Sequence, residues 1–195
     1  MSTRPLPTFR FDQPTCIAQA QLRPTPPVQL DSPAVAVMTD LVEVRAAAIS
    51  PDRDLVQAEA AMVQHGVRML FVVGTVPCVD GIVTLGDLHG DKAICAVQDQ
   101  RIPRARLRVA DVMTPLNALE LVALHELEQG RVADVLSTLE AQGSAHLVVV
   151  EAATARSAPR IRGVVSRAQV ERQLGIGLPA EHAARNFAEL ERALA

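Results

Sequence analysis

Apolar residues in the first half of the chain recur with the spacing of a helix. Leu55, Ala58 and Met62 stand at i, i+3 and i+7, which predicts an amphipathic helix that ends at Gly66. The Ser50-Pro51-Asp52 sequence just before it has the residue types of a helix start. The dense aliphatic run from Val67 to Val73 then predicts a buried strand, and a second helix is expected from Thr84 to about Gln98.

The second half repeats this order of elements. Val132, Val135 and Leu139 again fall on one helical face, which predicts a helix from about Gln129 to Gly143. The aliphatic residues from Leu147 to Val150 predict the matching buried strand. A partner strand and a last helix, which starts at Ser166, are expected to follow.

Two short sequences mark equivalent positions in the two halves. Val37-Met38-Thr39 recurs as Val112-Met113-Thr114, 75 residues later, and Gly81-Ile82-Val83-Thr84 recurs as Gly163-Val164-Val165-Ser166. The repetition predicts two copies of one small βα unit. Because each copy alone is too small for a good core, the copies are expected to pack together. Ligands tend to bind in the clefts that such packing creates.

The division of the chain follows from these marks and from composition. Residues 1–33 contain seven prolines, which predicts either an extended arm or a disordered tail. The first repeat is expected over residues 34–100, a basic linker over 101–108, and the second repeat over 109–176. An amphipathic pattern predicts an added helix over residues 177–195.

Composition and charge exclude several classes of protein. Aromatic residues make up 2% of the chain, and the net charge of −3 argues against a general nucleic-acid binder. The arginines between Arg101 and Arg108 are expected to form a solvated face or an intersubunit salt-bridge strip, with nucleic-acid binding as the alternative. No segment is apolar over the roughly 18 residues that a membrane span needs. The three cysteines lack a CxxC spacing and are expected to be free thiols in the cytoplasm.

No catalytic or metal-binding constellation is evident in the sequence. Asp87, His89 and Asp91 alternate along a predicted helix, where only the two aspartates share a face. GxSxG, P-loop and GxGxxG sequences are also absent. We therefore expect neither an enzyme nor a metal site.

The order and wording of the two copies resemble the cystathionine-β-synthase (CBS) domain pair, also called a Bateman module. The residues that carry the resemblance introduce each repeat, enter its first helix, or form its strands, and they are Val37-Met38-Thr39, Ile49-Ser50-Pro51, Gly66-Val67, Phe71-Val72-Val73, Gly81–Thr84 with Asp87, Asp111–Thr114, Gly143, Val148–Val150 and Gly163–Ser166. The resemblance implies an α/β fold of two βαββα repeats related by a pseudo-twofold axis. It also implies that the pair binds adenine nucleotides or S-adenosylmethionine between the repeats.

The resemblance implies roles for particular residues. Thr84 and Asp87 match the family's phosphate and ribose contacts, because a hydroxyl at a helix start seats phosphate and a carboxylate accepts ribose hydroxyls. The segment Gly66-Val67-Arg68 is expected to lie along the base or phosphate. The remaining members of the expected site are Ile82, Ser50, Pro51 and Ser166.

The second copy departs from this pattern at Gln169, which stands where the family has its aspartate. An amide does not accept two hydroxyl hydrogen bonds as a carboxylate does. We therefore expect one competent nucleotide cleft, at Thr84 and Asp87, and a second that is weak, altered or empty.

Two interpretations remain open at this point. The first is a stand-alone sensor without enzymatic activity, which binds an adenosyl ligand, forms a homodimer and signals to an effector protein. The second is a dimeric interaction or scaffold module that binds no ligand. Under this second interpretation Thr84 and Asp87 serve only as a helix cap.

Overall fold

A computed structural model describes residues 26–76, 78–153 and 158–176. The predicted extended arm lies largely outside these residues, and the predicted helix over 177–195 lies wholly outside them. The described part contains eight short strands, which are β1 Met38–Asp40, β2 Ala48–Ile49, β3 Met69–Val72, β4 Gly81–Thr84, β5 Thr114–Pro115, β6 Leu121–Ala123, β7 His146–Glu151 and β8 Arg160–Ser166.

The described residues also form seven α-helices. They are α1 Leu55–His65, α2 Leu85–His89, α3 Asp91–Gln100, α4 Val109–Val112, α5 Leu124–Gln129, α6 Val132–Ala141 and α7 Arg167–Gln173. Among the described residues, no helix is both long and apolar enough to cross a membrane. The α/β class expected from the sequence is confirmed.

The strands form two four-stranded sheets whose orders correspond. One sheet has the order β2-β3-β4-β5 and the other β6-β7-β8-β1. In each, a parallel pair precedes two antiparallel pairs. The two repeats exchange their entry strands, because β1 of the first repeat pairs with β8 and β5 of the second pairs with β4. The sheets therefore interlock, and neither is built from one continuous stretch of chain.

The alternation of side chains along β3 explains how the sheets pack. Leu70 and Val72 face the core formed with α1, whereas Met69 and Phe71 belong to a separate cluster between the sheets. All four residues of the strand are buried, so both faces are covered. Val148 of β7 joins the same intersheet cluster.

The first helix has the predicted face but a different start. Leu55, Ala58 and Met62 are buried, as the spacing predicts, and Gly66 ends the helix with a positive φ of 65°. The N-cap is Asp54, not the Ser50-Pro51-Asp52 sequence. The Asp54 carboxylate accepts the Gln57 amide at 2.7 Å, and this capping box places the start beyond the turn that the proline begins.

The helix expected from Thr84 to about Gln98 is broken into α2 and α3. Gly90 separates them with an extended backbone (φ −93°, ψ −162°), and its amide donates to the Gly86 carbonyl. In the second repeat the helix expected from about Gln129 starts instead at Val132. The amide of its N-cap, Arg131, donates to the Asp134 carboxylate.

Candidate functional site

Two clefts open between the repeats, and each uses parts of both. The first, here called the Asp87 cleft, has a volume of about 580 Å³. It joins the start of α2 to the loop Gln142–Ala145 that precedes β7. Its lining residues are Ile82, Thr84, Gly86, Asp87, Lys92, Thr114, Ala118, Leu119, Glu120, Gln142, Gly143, Ser144, Ala145, His146 and Val148.

The second, here called the Arg68 cleft, has a volume of about 550 Å³. It joins the start of α7 to the loop Gly66–Arg68 that precedes β3. Its lining residues are Thr39, Leu41, Val44, Arg45, Ala46, Ala47, His65, Gly66, Val67, Arg68, Met69, Phe71, His146, Val164, Ser166, Ala168, Gln169 and Arg172.

The structure separates residues that the sequence placed in one site. Thr84, Asp87 and Ile82 line the Asp87 cleft, whereas Gly66-Val67-Arg68 and Ser166 line the Arg68 cleft. Thr84 and Arg68, which are both expected to contact a ligand, therefore line different clefts. The loop of each repeat faces the helix start of the other repeat, because the two sheets lie against each other.

Ser50 and Pro51 line neither of these clefts. The Pro51 carbonyl instead accepts the amide of Ala110 at 3.0 Å, which ties this turn to α4. Their contact with a ligand therefore stays a prediction from the sequence.

The Thr84–Asp87 pair forms a complete capping box at the start of α2. The Thr84 hydroxyl accepts the Asp87 amide at 3.2 Å, and Asp87 Oδ2 accepts the Thr84 amide at 2.8 Å. The Thr84 hydroxyl also donates to Asp87 Oδ2 at 2.7 Å. Thr84 and Asp87 therefore do cap α2. The cap uses Oδ2 of Asp87, and Oδ1 takes no part in it.

A lysine forms an ion pair with that remaining oxygen. Lys92 Nζ lies 2.7 Å from Asp87 Oδ1, and it also donates to the Thr114 hydroxyl. The Asp87 side chain is 12% exposed and the Lys92 side chain 46%, so the pair sits at the cleft wall with its cation toward solvent. Lys92 therefore places a positive charge in a cleft that also contains the carboxylates of Asp87 and Glu120.

His146 is the one residue that lines both of these clefts. It begins β7 opposite Ser166, and its Nδ1 is buried without a hydrogen-bond partner in the described part of the chain. Burial lowers the pKa of His146, and the Arg68 guanidinium lowers it further, while the Asp87 carboxylate acts in the opposite direction. The ring is therefore held toward its neutral form.

Sequence reasoning did not place His146, Arg45, Arg172 or Lys92 in a site. For His146, the repeat itself indicated a position near the cleft. Gly143 corresponds to Gly66, so the residues that follow it correspond to Val67, Arg68 and Met69. The arginines carried no such signal, since arginine is spread along the whole chain.

All four arginines of the basic linker are exposed. Arg104 donates to the Leu88 carbonyl at 2.6 Å, and the amide of Arg108 donates to Asp111 at 2.7 Å. No group of His, Cys, Asp and Glu side chains within the described ranges is arranged to hold a metal ion.

Solved structures show which fold these elements make. The chain resembles the CBS-domain-containing protein ATU1752 from Agrobacterium tumefaciens, with a TM-score of 0.51 and 18% identity over 68% of this chain and 88% of that one. It resembles CBSX2, solved in complex with AMP, with a TM-score of 0.51 and 20% identity over 72% of this chain and 94% of that one. The chain has the fold of a CBS-domain pair.

A third similar structure is the CBS domain of a bacterial CNNM/CorC family Mg²⁺ transporter, solved in complex with ATP. Its TM-score is 0.50 at 17% identity, over 76% of this chain and 91% of that chain. No family model matches the sequence, and no curated protein matches it. At these identities the similarity establishes the fold, and the roles of particular residues have to be argued from the clefts themselves.

Proposed function

We propose that this CBS pair is a regulatory module that binds an adenosine-containing ligand, AMP, ADP, ATP or S-adenosylmethionine, in the Asp87 cleft. The observation that carries the proposal is the meeting of Asp87 from one repeat with the loop Gly143–Ala145 of the other across an open cleft. Two of the similar structures were solved with AMP and with ATP, which supports this class of ligand.

The side chains of the cleft suit the three parts of a nucleotide. Ile82, Leu119 and Val148 supply apolar surface for an adenine ring. Asp87 Oδ1 is an acceptor for ribose hydroxyls. Lys92, within hydrogen-bonding distance of that oxygen, offers its remaining N–H donors to a phosphate.

Regulation requires that the ligand distinguish two states of the protein. A ligand in the Asp87 cleft contacts both repeats, so its affinity depends on how the interlocked sheets sit. The output is proposed to pass to an effector protein, and the module itself is proposed to have no enzymatic activity.

Substitution of Asp87 by Asn tests the site. Loss of a charge-assisted acceptor costs about 1.5–3 kcal/mol, so the dissociation constant for AMP is expected to rise about ten- to a hundredfold in Asp87→Asn. Isothermal titration calorimetry with AMP measures this change directly.

Asp134→Asn is the matched control for this experiment. Asp134 accepts the Arg131 amide at 2.8 Å, as Asp87 accepts the Thr84 amide, but it lines neither cleft. Its AMP affinity should equal that of the unchanged protein. Equal AMP affinity in Asp87→Asn would reject the assigned site.

The scaffold interpretation is favoured by one specific observation. Both oxygens of Asp87 are already engaged, one by the cap and one by Lys92. A module in which this carboxylate serves only the fold would show no response to any adenosine compound, while Asp87→Asn would still lower its thermal stability.

A homodimer is proposed for either interpretation. Val56 and Val63, seven residues apart on α1, are 75% and 78% exposed and share one face of the helix. Burial of this face against a second copy would remove apolar surface from water. Val63→Arg should then shift the mass measured by light scattering toward the monomer, whereas Gln64→Arg should not.

A further inference from the structure

The Arg68 cleft differs from the Asp87 cleft in its charge. Arg45, Arg68 and Arg172 line it together with two histidines, and none of its described lining residues is an aspartate or a glutamate. None of the three guanidinium groups forms an ion pair with a carboxylate in the described part of the chain. The field in this cleft therefore attracts anions.

The residue equivalent to Asp87 in the second repeat adds another donor to the Arg68 cleft. Gln169 stands where the first repeat has Asp87, and its Oε1 accepts the Thr39 hydroxyl at 3.3 Å. Its amide NH₂ is left to donate. A donor at this position suits a phosphoryl oxygen, whereas a carboxylate suits a ribose hydroxyl.

Dinucleotide-binding folds also use either an acidic or a basic residue beside the ribose. There a carboxylate accepts the ribose hydroxyls, and an arginine nearby accommodates a phosphate on the sugar. The Arg68 cleft has the second chemistry, since its polar wall contains Gln169 and three arginines. Guanidinium groups bind phosphate with two parallel hydrogen bonds and keep their charge at any pH near neutrality.

The cleft also has an apolar wall. Leu41, Met69, Phe71 and Val164 line it and belong to or pack against the cluster between the sheets. A volume of about 550 Å³ is within the usual range for small-molecule sites. The cleft thus combines an apolar wall for a ring with a cationic wall for several phosphoryl oxygens.

We propose that the Arg68 cleft binds a small ligand with two or more adjacent phosphoryl groups, which it selects by charge and not by the ribose hydroxyls. This inference extends the proposed function by giving the two clefts different ligand chemistries. It does not depend on nucleotide binding at Asp87. The replacement of aspartate by Gln169 is then a change of specificity and not a loss of binding.

Titration of the full chain with inorganic tripolyphosphate, pyrophosphate and phosphate tests the proposal. Affinity should fall in that order and should weaken steeply as salt is added. Arg68→Gln and Arg172→Gln should each weaken tripolyphosphate binding at least about tenfold. Arg106→Gln removes the same charge outside both clefts and should leave binding unchanged.

A comparison of ATP with 2′-deoxy-ATP separates the two modes of selection. In Asp87→Asn, at nucleotide concentrations too low to fill the weakened Asp87 cleft, binding reports the Arg68 cleft, and the two nucleotides should bind equally well. Arg68→Gln in that background should weaken both. Discrimination against the deoxy compound, or tripolyphosphate affinity that is equal in Arg68→Gln and Arg106→Gln, would overturn the proposal.

The outcomes keep the two proposals apart. Loss of AMP binding in Asp87→Asn with no tripolyphosphate binding supports the proposed function and rejects this inference. Tripolyphosphate binding that depends on Arg68, with AMP affinity unaffected by Asp87→Asn, supports the inference and rejects the site proposed for AMP.

Discussion

Lys92 Nζ lies 2.7 Å from Asp87 Oδ1, and Lys92 is the single lysine in the sequence. The pair joins α3 to the start of α2, and through Thr114 it reaches the exchanged strand β5. A ribose that binds to Asp87 therefore has to share its carboxylate with this cation. The Lys92 ammonium group lines the same cleft as Asp87.

Lys92→Met is expected to change selectivity between nucleotide and nucleoside. AMP should bind about three- to tenfold more weakly, because a charge-assisted hydrogen bond to its phosphate is lost. Adenosine should bind as well as before or more tightly, because Asp87 is released from its ion pair. Calorimetric titrations with the two compounds measure the ratio, and Lys92→Arg serves as the charge-retaining control. An equal loss for AMP and adenosine would contradict the role given to Lys92.

His146 should make folding stability depend on pH. Its pKa in the folded protein is lowered from the ordinary value of 6.5, so the unfolded chain binds more protons than the folded one in this region. The contribution of His146 to the free energy of unfolding is therefore complete above about pH 6.5. It is lost as the pH falls through the lowered pKa of the folded protein.

Urea denaturation between about pH 5 and pH 8 checks this expectation. In His146→Gln this part of the pH dependence should flatten. His125→Gln changes a side chain that is 63% exposed and should keep the slope of the unchanged protein. A slope in His146→Gln equal to that of the parent would show that other groups cause it.

The capping box of α1 predicts a local cost for one substitution. Asp54→Ala removes the acceptor for the Gln57 amide and should lower the free energy of unfolding by about 1 kcal/mol. For a chain of this size, that is a fall in Tm of about 2–4 °C. The Asp52 side chain, two residues earlier, makes no hydrogen bond among the described residues. The free energy of unfolding of Asp52→Ala should therefore stay within about 0.5 kcal/mol of the value for the parent.

Gly81 is required by the exchange of strands. A Cβ at this position would overlap the Thr114 carbonyl and lie 2.9 Å from Pro115 Cα, both of which are backbone atoms of β5. Gly81→Ala should therefore destabilise the protein by about 1–3 kcal/mol, measured as a fall in Tm. Gly86→Ala, where the nearest atom would be at 3.6 Å, should be tolerated. Equal Tm values for the two variants would show that β4 and β5 can separate at little cost.

The sequence predicted a helix or a strand wherever the apolar residues of a segment followed one regular spacing. The buried faces of α1 and α6 followed from their apolar spacing, and the buried strands β3 and β7 followed from their aliphatic runs. The break at Gly90 was missed because a single glycine inside a helical pattern is often tolerated. The start of α1 was misplaced because Ser50 and Asp52 are as suitable for a cap as Asp54.

The partition of the site could not be predicted in the same way. Periodicity shows which face of an element is buried, but it does not show which repeat covers that face. The pairing of β1 with β8 and of β5 with β4 decides that Gly66 faces Ser166 and that Gly143 faces Thr84. The sequence therefore indicated Thr84, Asp87 and the loop Gly66–Arg68 as cleft residues, but it did not show that they line two different clefts.

A dye-based thermal-shift measurement tests the central claim most directly, and the dye is needed because the chain has no Trp. Adenosine, AMP, ATP, S-adenosylmethionine and GMP are compared on the full chain. A ligand at about a hundred times its dissociation constant adds about 2.7 kcal/mol of stability, which for this chain is a shift of about 5–10 °C. The account predicts such a shift for at least one adenosine compound, smaller in Asp87→Asn and unchanged in Asp134→Asn. A flat response to the whole panel would contradict it and would favour a dimeric module that binds no ligand.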